Sequence, residues 1–200
     1  MPGALASAST FTVHRQLTPA QQERRLAVIE AAMELASNGG YEAVVIKDVA
    51  ARAGVSLGTL YRYFSSKDHL LAEALQVWSE RLGRKLQASP PRGNTPAERV
   101  ASVLRRMARG VEREPELGVA LTRALLSPDP GALANRDELA AEMRGWIDLA
   151  LGDAPVRDRE GVVSVLEHLC FAHMITLANG QRTPQQVGAA LERAARLLLT

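Results

Sequence analysis

The chain contains one cysteine, Cys170, in 200 residues, so no intrachain disulfide can form, and a reducing cytoplasm is the expected setting. Aromatic side chains are scarce at 4 %, and no stretch shows clean period-two alternation, so a sheet protein is not expected. A large charge excess is also missing. The formal net charge is +2, unlike that of a histone-like chain coating nucleic acid over its whole surface. No apolar run reaches the roughly 20 residues that span a bilayer. Met1 to Leu17 has no basic segment ahead of an apolar one, so neither a signal peptide nor a membrane partner is expected. Gly-rich phosphate loops, Ser/His/Asp or Cys/His arrangements and motif-placed carboxylate pairs are lacking as well, which argues against an enzyme and calls for no cofactor.

What is present is helix-forming material. Ala, Leu, Arg and Glu dominate, and apolar residues make up 46 % of the chain, which points to an all-α protein. Residues 1–17, rich in Ala, Ser and Thr and holding His14, read as a disordered arm. Thr18 caps a first helix with Pro19 at its first position. Leu26, Ile29, Met33 and Ala36 form its apolar stripe, and Asn38-Gly39-Gly40 ends it. A second helix is expected over 46–53, with Val49 and Ala50 inward. After the turn Gly54-Val55-Ser56, a third follows over 57–64, with Leu60 and Phe64 inward. Ser65-Ser66 caps a long fourth helix with Leu71, Leu75, Trp78, Leu82 and Leu86 along one face. A Pro-rich loop covers 88–96. Five more helices are expected at about 96–112, 115–126, 135–151, 156–179 and 184–199, giving about nine.

Charge is unevenly distributed. Residues 89–200 carry 14 basic and 14 acidic side chains, whereas 47–67 hold Lys47, Arg52, Arg62 and Lys67 against Asp48 alone. Solvated surface charge would explain four cations. Their setting favours a phosphate footprint instead. Two short helices joined by a glycine turn make a helix-turn-helix, whose second helix can enter a major groove. Leu57, Gly58, Tyr61 and Arg62 project outward from that helix. Thr59, Tyr61, Tyr63 and Lys67 supply donors for phosphates on either side, a tyrosine packing its ring on protein while its hydroxyl reaches out. The expected DNA-facing set is Lys47, Ser56, Leu57, Gly58, Thr59, Tyr61, Arg62, Tyr63 and Lys67. With Leu57-Gly58 at the tip, base reading falls to Arg62, thymine methyl contact and DNA shape.

The lead-in Gly40-Tyr41-Glu42-Ala43, then Val49-Ala50, Ala53-Gly54-Val55-Ser56, Thr59-Leu60-Tyr61-Arg62-Tyr63-Phe64 and Ser66-Lys67 resemble the signature of TetR-family regulators over the first 90 or so residues. The resemblance implies a helix-turn-helix domain over 18–66 and a helical ligand-binding and dimerisation domain over 67–200. It also implies a repressor that binds a palindromic double-stranded operator as a homodimer and lets go when a small apolar ligand binds. One departure is Val44-Val45, where the family often has a capping Ser or Thr. The phosphate contact of that residue is either lost or made by the neighbouring backbone amide alone.

The C-terminal half fits this scheme. Val162, Val163, Val165, Leu166, Leu169, Phe171, Met174, Ile175 and Leu177 make the 156–179 helix apolar nearly all round, so it must be covered on all sides. Its own core can cover one side and a symmetry mate the other. A ligand cavity is expected to be lined by Trp78, Leu104, Met107, Val111, Leu121, Leu125, Met143, Trp146, Ile147 and Phe171, although core packing explains each of them singly. The Gly40-to-Leu71 segment, Glu114-Pro-Glu-Leu-Gly-Val-Ala-Leu-Thr-Arg-Ala124 and Ala194-Ala-Arg-Leu-Leu-Leu199 together carry a narrower resemblance, to repressors of actinobacterial sterol catabolism. That resemblance implies a steroid or fatty acyl-coenzyme A effector, whose phosphates Arg105, Arg106, Arg109 and Arg123 could meet. Solvated helix faces explain the same arginines. Cys170 and His173 share a helix face and His168 does not, and two ligands do not make a tetrahedral metal site, so no metal is expected.

Overall fold

The computed structural model describes residues 17–199, so the expected arm, including His14, lies outside the described residues except for Leu17. Among the described residues there are nine helices and no strand: α1 Pro19–Ala43, α2 Ile46–Arg52, α3 Leu57–Tyr63, α4 Lys67–Ala88, α5 Pro96–Arg113, α6 Pro115–Leu125, α7 Pro130–Leu151, α8 Arg159–Ala178 and α9 Pro184–Leu198.

One local device starts three of these helices. Thr18-Pro19-Ala20-Gln21, Thr95-Pro96-Ala97-Glu98 and Thr183-Pro184-Gln185-Gln186 each close a capping box. The threonine oxygen accepts from the third backbone N–H, and the Gln or Glu side chain accepts from the threonine N–H. Proline fills the first helical position, where a missing N–H costs nothing. Ser56 and Ser66 cap α3 and α4 by accepting from the amides of Thr59 and His69.

Four details differ from the sequence expectation. Gly39 and Gly40 do leave helical geometry, but a turn resumes after them and carries α1 to Ala43. Gly40 has φ +66°, and a Cβ there would lie 2.9 Å from Glu116 Oε2, so α6 approaches this point closely. Leu26 is not in the core stripe; it is 46 % exposed, and Val28 and Ala32 are buried beside Ile29 and Met33. The start of α1 instead turns Arg25 inward, toward Glu73. α7 begins five residues before the expected 135, because Asp129 Oδ1 accepts from the Gly131 and Ala132 amides and makes Pro130 a helix start rather than a loop residue. α8 begins at Arg159 rather than 156, after Asp158, a left-handed residue whose carboxylate accepts from the Gly161 amide.

The apolar side chains gather in two clusters. The first joins α1, α2, α3, the first half of α4 and α6, and includes Ile29, Val49, Leu60, Phe64, Leu71 and Leu121. The second joins α5, α7, α8 and α9 around Leu86, Leu104, Ile147 and Leu166. α4, about 33 Å long at 1.5 Å per residue, gives Leu70, Leu71 and Leu75 to the first and Leu86 to the second. On its expected apolar face Leu71, Leu75 and Leu86 are buried, while Trp78 and Leu82 are half-buried. α8 is, by length and composition, long and apolar enough to cross a membrane, contrary to the expectation that no such run exists. It packs on α6, α7 and α9 through Val162, Val163, Leu166, Cys170 and Leu177, and Val165 on its other side is 45 % exposed.

Phe64 is fully buried where α3 meets the rest of the first cluster. The Arg25 guanidinium lies 5.5 Å from its ring centroid and pairs with Glu73 of α4. Phe64→Ala should therefore lower unfolding free energy by about 3–5 kcal/mol, measured by urea titration. A loss below about 1 kcal/mol would show that α3 is held by something else.

Candidate nucleic-acid interface and effector cavity

α2 and α3 are seven residues each, too short to persist alone in water. Val49 and Ala50 bury α2, and Leu60 and Phe64 bury α3. Their outward residues need not hold the fold. Lys47, Ser56, Leu57, Gly58, Tyr61 and Arg62 are all exposed, with Tyr61 at 55 % and Leu57 at 44 %. Thr59 is half-buried, and its hydroxyl accepts from Ser56 Oγ at 3.0 Å, which ties the start of α3 together. The α2 N-terminus is capped by no side chain; Val45 stands there 49 % exposed, while Val44 is buried. The amide end of α2 therefore has no side-chain cap, and its first turn carries Asp48 beside the exposed Lys47.

Two members of the expected set are placed differently from the rest. The Tyr63 hydroxyl is enclosed and has no hydrogen-bond partner. Its ring packs edge-on to Phe64 and receives the Arg62 guanidinium at 5.4 Å from the centroid. Lys67, in the first turn of α4, is half-buried, with Nζ 3.8 Å from the Tyr41 ring centroid. Burial lowers its pKa; Glu42 and Asp68 act to raise it and Arg123 to lower it. Burial together with the Asp68 hydrogen bond and charge pushes the Tyr41 phenol up to about 12. Tyr41 Oη donates to Asp68 Oδ1, and Ser127 Oγ donates to Asp68 Oδ2 at 2.6 Å.

The expected cavity residues do not all meet. Trp78, Met107 and Val111 line a small apolar space with Thr122, Cys170, Met174, Leu177 and Leu191. Leu104, Met143, Trp146 and Ile147 are packed in the second cluster, and Leu121 and Leu125 in the first. Phe171 packs against the first cluster, 5.6 Å from the Arg136 guanidinium. The space holds about 50 Å³, far below the roughly 300 Å³ at which ligand pockets begin. Burial pushes the Cys170 thiol in its wall up to about 12, which keeps it protonated and unreactive. Trp78 has a second side. It also borders an open cleft of about 420 Å³ between α4 and α5, which contains Arg81, Lys85, Arg106, Arg109 and Arg113. At Gly110, on its border, a Cβ would lie 2.5 Å from Trp78 Cζ2, so the Trp78 ring lies directly against α5. Of the arginines suggested for effector phosphates, Arg106 and Arg109 are in this cleft. Arg105 pairs with Glu192 on α9, and Arg123 pairs with Glu42 at the end of α1.

A helix-turn-helix set on an all-helical body is the architecture of a one-component bacterial regulator, and the comparisons agree. Residues 28–74 match the family model for bacterial regulatory proteins of the tetR family, and residues 93–198 match that for the tetracyclin repressor-like C-terminal domain. The chain belongs to the TetR family and is a DNA-binding transcriptional regulator. Among individual proteins, it is 37 % identical over 181 residues to the HTH-type transcriptional repressor KstR of Rhodococcus jostii, covering 90 % of this chain and 84 % of that one. A TetR transcriptional regulator from Rhodococcus sp. RHA1 superposes with TM-score 0.78 at 29 % identity, over 90 % of this chain and 98 % of that one. Thermus thermophilus FadR, in a crystal structure with lauroyl-CoA, superposes with TM-score 0.59 at 28 % identity, over 88 % and 93 %.

Tyr61 is exposed on the outer side of α3, so its loss should affect DNA and not the fold. Tyr61→Ala should weaken operator binding at least tenfold in an anisotropy titration and change urea stability by no more than about 0.5 kcal/mol. Unchanged DNA affinity, or a large loss of stability, would remove Tyr61 from the reading face.

Proposed function

We propose that this repressor grips a palindromic operator as a homodimer in the cytoplasm and releases it when a large apolar effector enters the C-terminal domain. In this reading residues 18–66 are the DNA-reading unit and 67–200 the effector and dimerisation unit. The observation that carries it is the division of labour in α3: Leu60 and Phe64 are buried, while Leu57, Gly58, Tyr61 and Arg62 are left to the solvent side. Lys47, Ser56, Thr59, Tyr63 and Lys67 complete the proposed DNA-facing set, Tyr63 on condition that its enclosed hydroxyl turns outward on binding. One seven-residue reading helix gives little affinity, so two half-sites about one DNA turn apart supply the rest. The surface for dimerisation is the outer side of α8 with α9, where Val165 and Leu197 are exposed. Apolar surface of that kind gains by being covered.

The effector is of the steroid or fatty acyl-coenzyme A class. Supporting this are the apolar space beside Met107 and Met174, the cationic cleft sharing Trp78 with it, the sequence resemblance to sterol-catabolism repressors and the lauroyl-CoA held by the Thermus structure. An apolar body would enlarge the small apolar space, and acidic phosphates would lie among Arg81, Lys85, Arg106, Arg109 and Arg113. Enlargement must separate helices that meet α4, which changes the spacing of the two reading helices. Release can be no larger than the difference in effector affinity between the gripping and the released conformations.

The test is an anisotropy titration of protein bound to promoter-region DNA with lauroyl-CoA, a steroid, and coenzyme A alone. An apolar effector should weaken operator binding by about 5–150-fold, and coenzyme A alone should not. An effector that binds tightly yet leaves operator affinity unchanged would refute the coupling.

A further inference from the structure

Lys67 is the proposed phosphate contact that shares its immediate partners with the effector domain. Its ammonium is 3.8 Å from the Tyr41 ring centroid, and the Arg123 guanidinium of α6 is 4.1 Å from the same centroid. Arg123 Nη1 is 2.8 Å from Glu42 Oε1, and the charge of Glu42 also acts on Lys67. Two cations thus face one ring and one carboxylate. The ring cannot swing away, because Asp68 holds its hydroxyl and is itself held by Ser127, in the connection between α6 and α7. As an isolated surface pair, Arg123–Glu42 would contribute little to stability, since both side chains are more than half exposed. Its consequence is electrostatic allocation: a carboxylate engaged by one cation is less available to neutralise another.

Resting on the DNA-binding reading above, we infer that Arg123 is a positioning residue for operator binding, which occupies Glu42 and Tyr41 and so leaves the Lys67 charge available to a DNA phosphate. If α6 shifts and withdraws Arg123, Glu42 and the ring turn to Lys67, and one phosphate contact per protomer is neutralised. Arg123 itself need not touch DNA. The arrangement gives the effector domain a lever on the interface through α6 and the end of α1, in addition to the body of α4.

The test is a double-mutant cycle on a DNA duplex selected in vitro for tight binding to the wild-type protein, with affinity measured across salt concentration. Lys67→Ala should weaken binding about tenfold or more and reduce the slope of log K against log salt by about 0.9 per protomer. Arg123→Ala should weaken binding about threefold or more and lower the slope in the same direction. In the Lys67→Ala background, and equally in the Glu42→Gln background, Arg123→Ala should have no further effect. A general loss of positive charge would be additive in both backgrounds, which would overturn the inference while leaving the DNA-binding reading intact. A Lys67→Ala protein that binds like wild type would overturn it too. If no duplex can be selected by the wild-type protein, the DNA-binding reading fails and the inference falls with it.

Discussion

The docking of Leu60 and Phe64 is the interaction on which the rest of the molecule depends. A seven-residue helix has no stability of its own, and α3 exists because these two side chains are fully buried in the first cluster. Once they are, Leu57, Gly58, Tyr61 and Arg62 are relieved of any structural duty and can suit DNA. The same docking explains Arg25 and Glu73, a cation and an anion accepted into the protein because each has the other beside the Phe64 ring. Removing one partner of such a pair strands the remaining charge, so the cluster resists partial change.

A second consequence is continuity. The first cluster includes Leu117, Leu121 and Leu125 of α6 together with the residues that hold the reading helix. α6 belongs by sequence to the C-terminal part, yet its apolar face completes the core of the N-terminal part. α4 then passes into the second cluster. Two of the helices around the apolar space, α4 and α6, therefore also belong to the cluster that sets the position of α3. Close-packed interiors shift between alternative packings rather than stretch, so enlarging a space of about 50 Å³ cannot be a local event.

Much of this was legible in the sequence, for physical reasons that are local. Thr18-Pro19-Ala20-Gln21 announces its helix because cap, proline and back-bonding glutamine are adjacent. The alternation of buried Leu60 and Phe64 with outward Tyr61 and Arg62 follows from helical spacing, and the ordered run from Ala53 to Lys67 identified the family. What was not legible depends on neighbours distant in the chain. Leu26 reads as core until Arg25 is seen to turn inward toward Glu73, 48 positions on. The early start of α7 is hidden by Pro130-Gly131, residues that break a helical pattern unless Asp129 caps them. Of ten expected cavity residues, only Trp78, Met107 and Val111 line the space, since periodicity tells which face is inward but not what lies opposite. Arg123 looked like a phosphate ligand in the effector domain; its partner Glu42, 81 residues away, could not be seen from either segment alone.

The most direct test of the account is an anisotropy titration of the purified protein against DNA from its own promoter region at two salt concentrations, with competitor DNA present. The account predicts tight, competitor-resistant binding by two protomers that weakens steeply as salt rises, as phosphate anchoring requires. Binding no tighter than to competitor DNA, in a sample shown by mass spectrometry of the denatured protein to carry no co-purified ligand, would contradict it for that DNA.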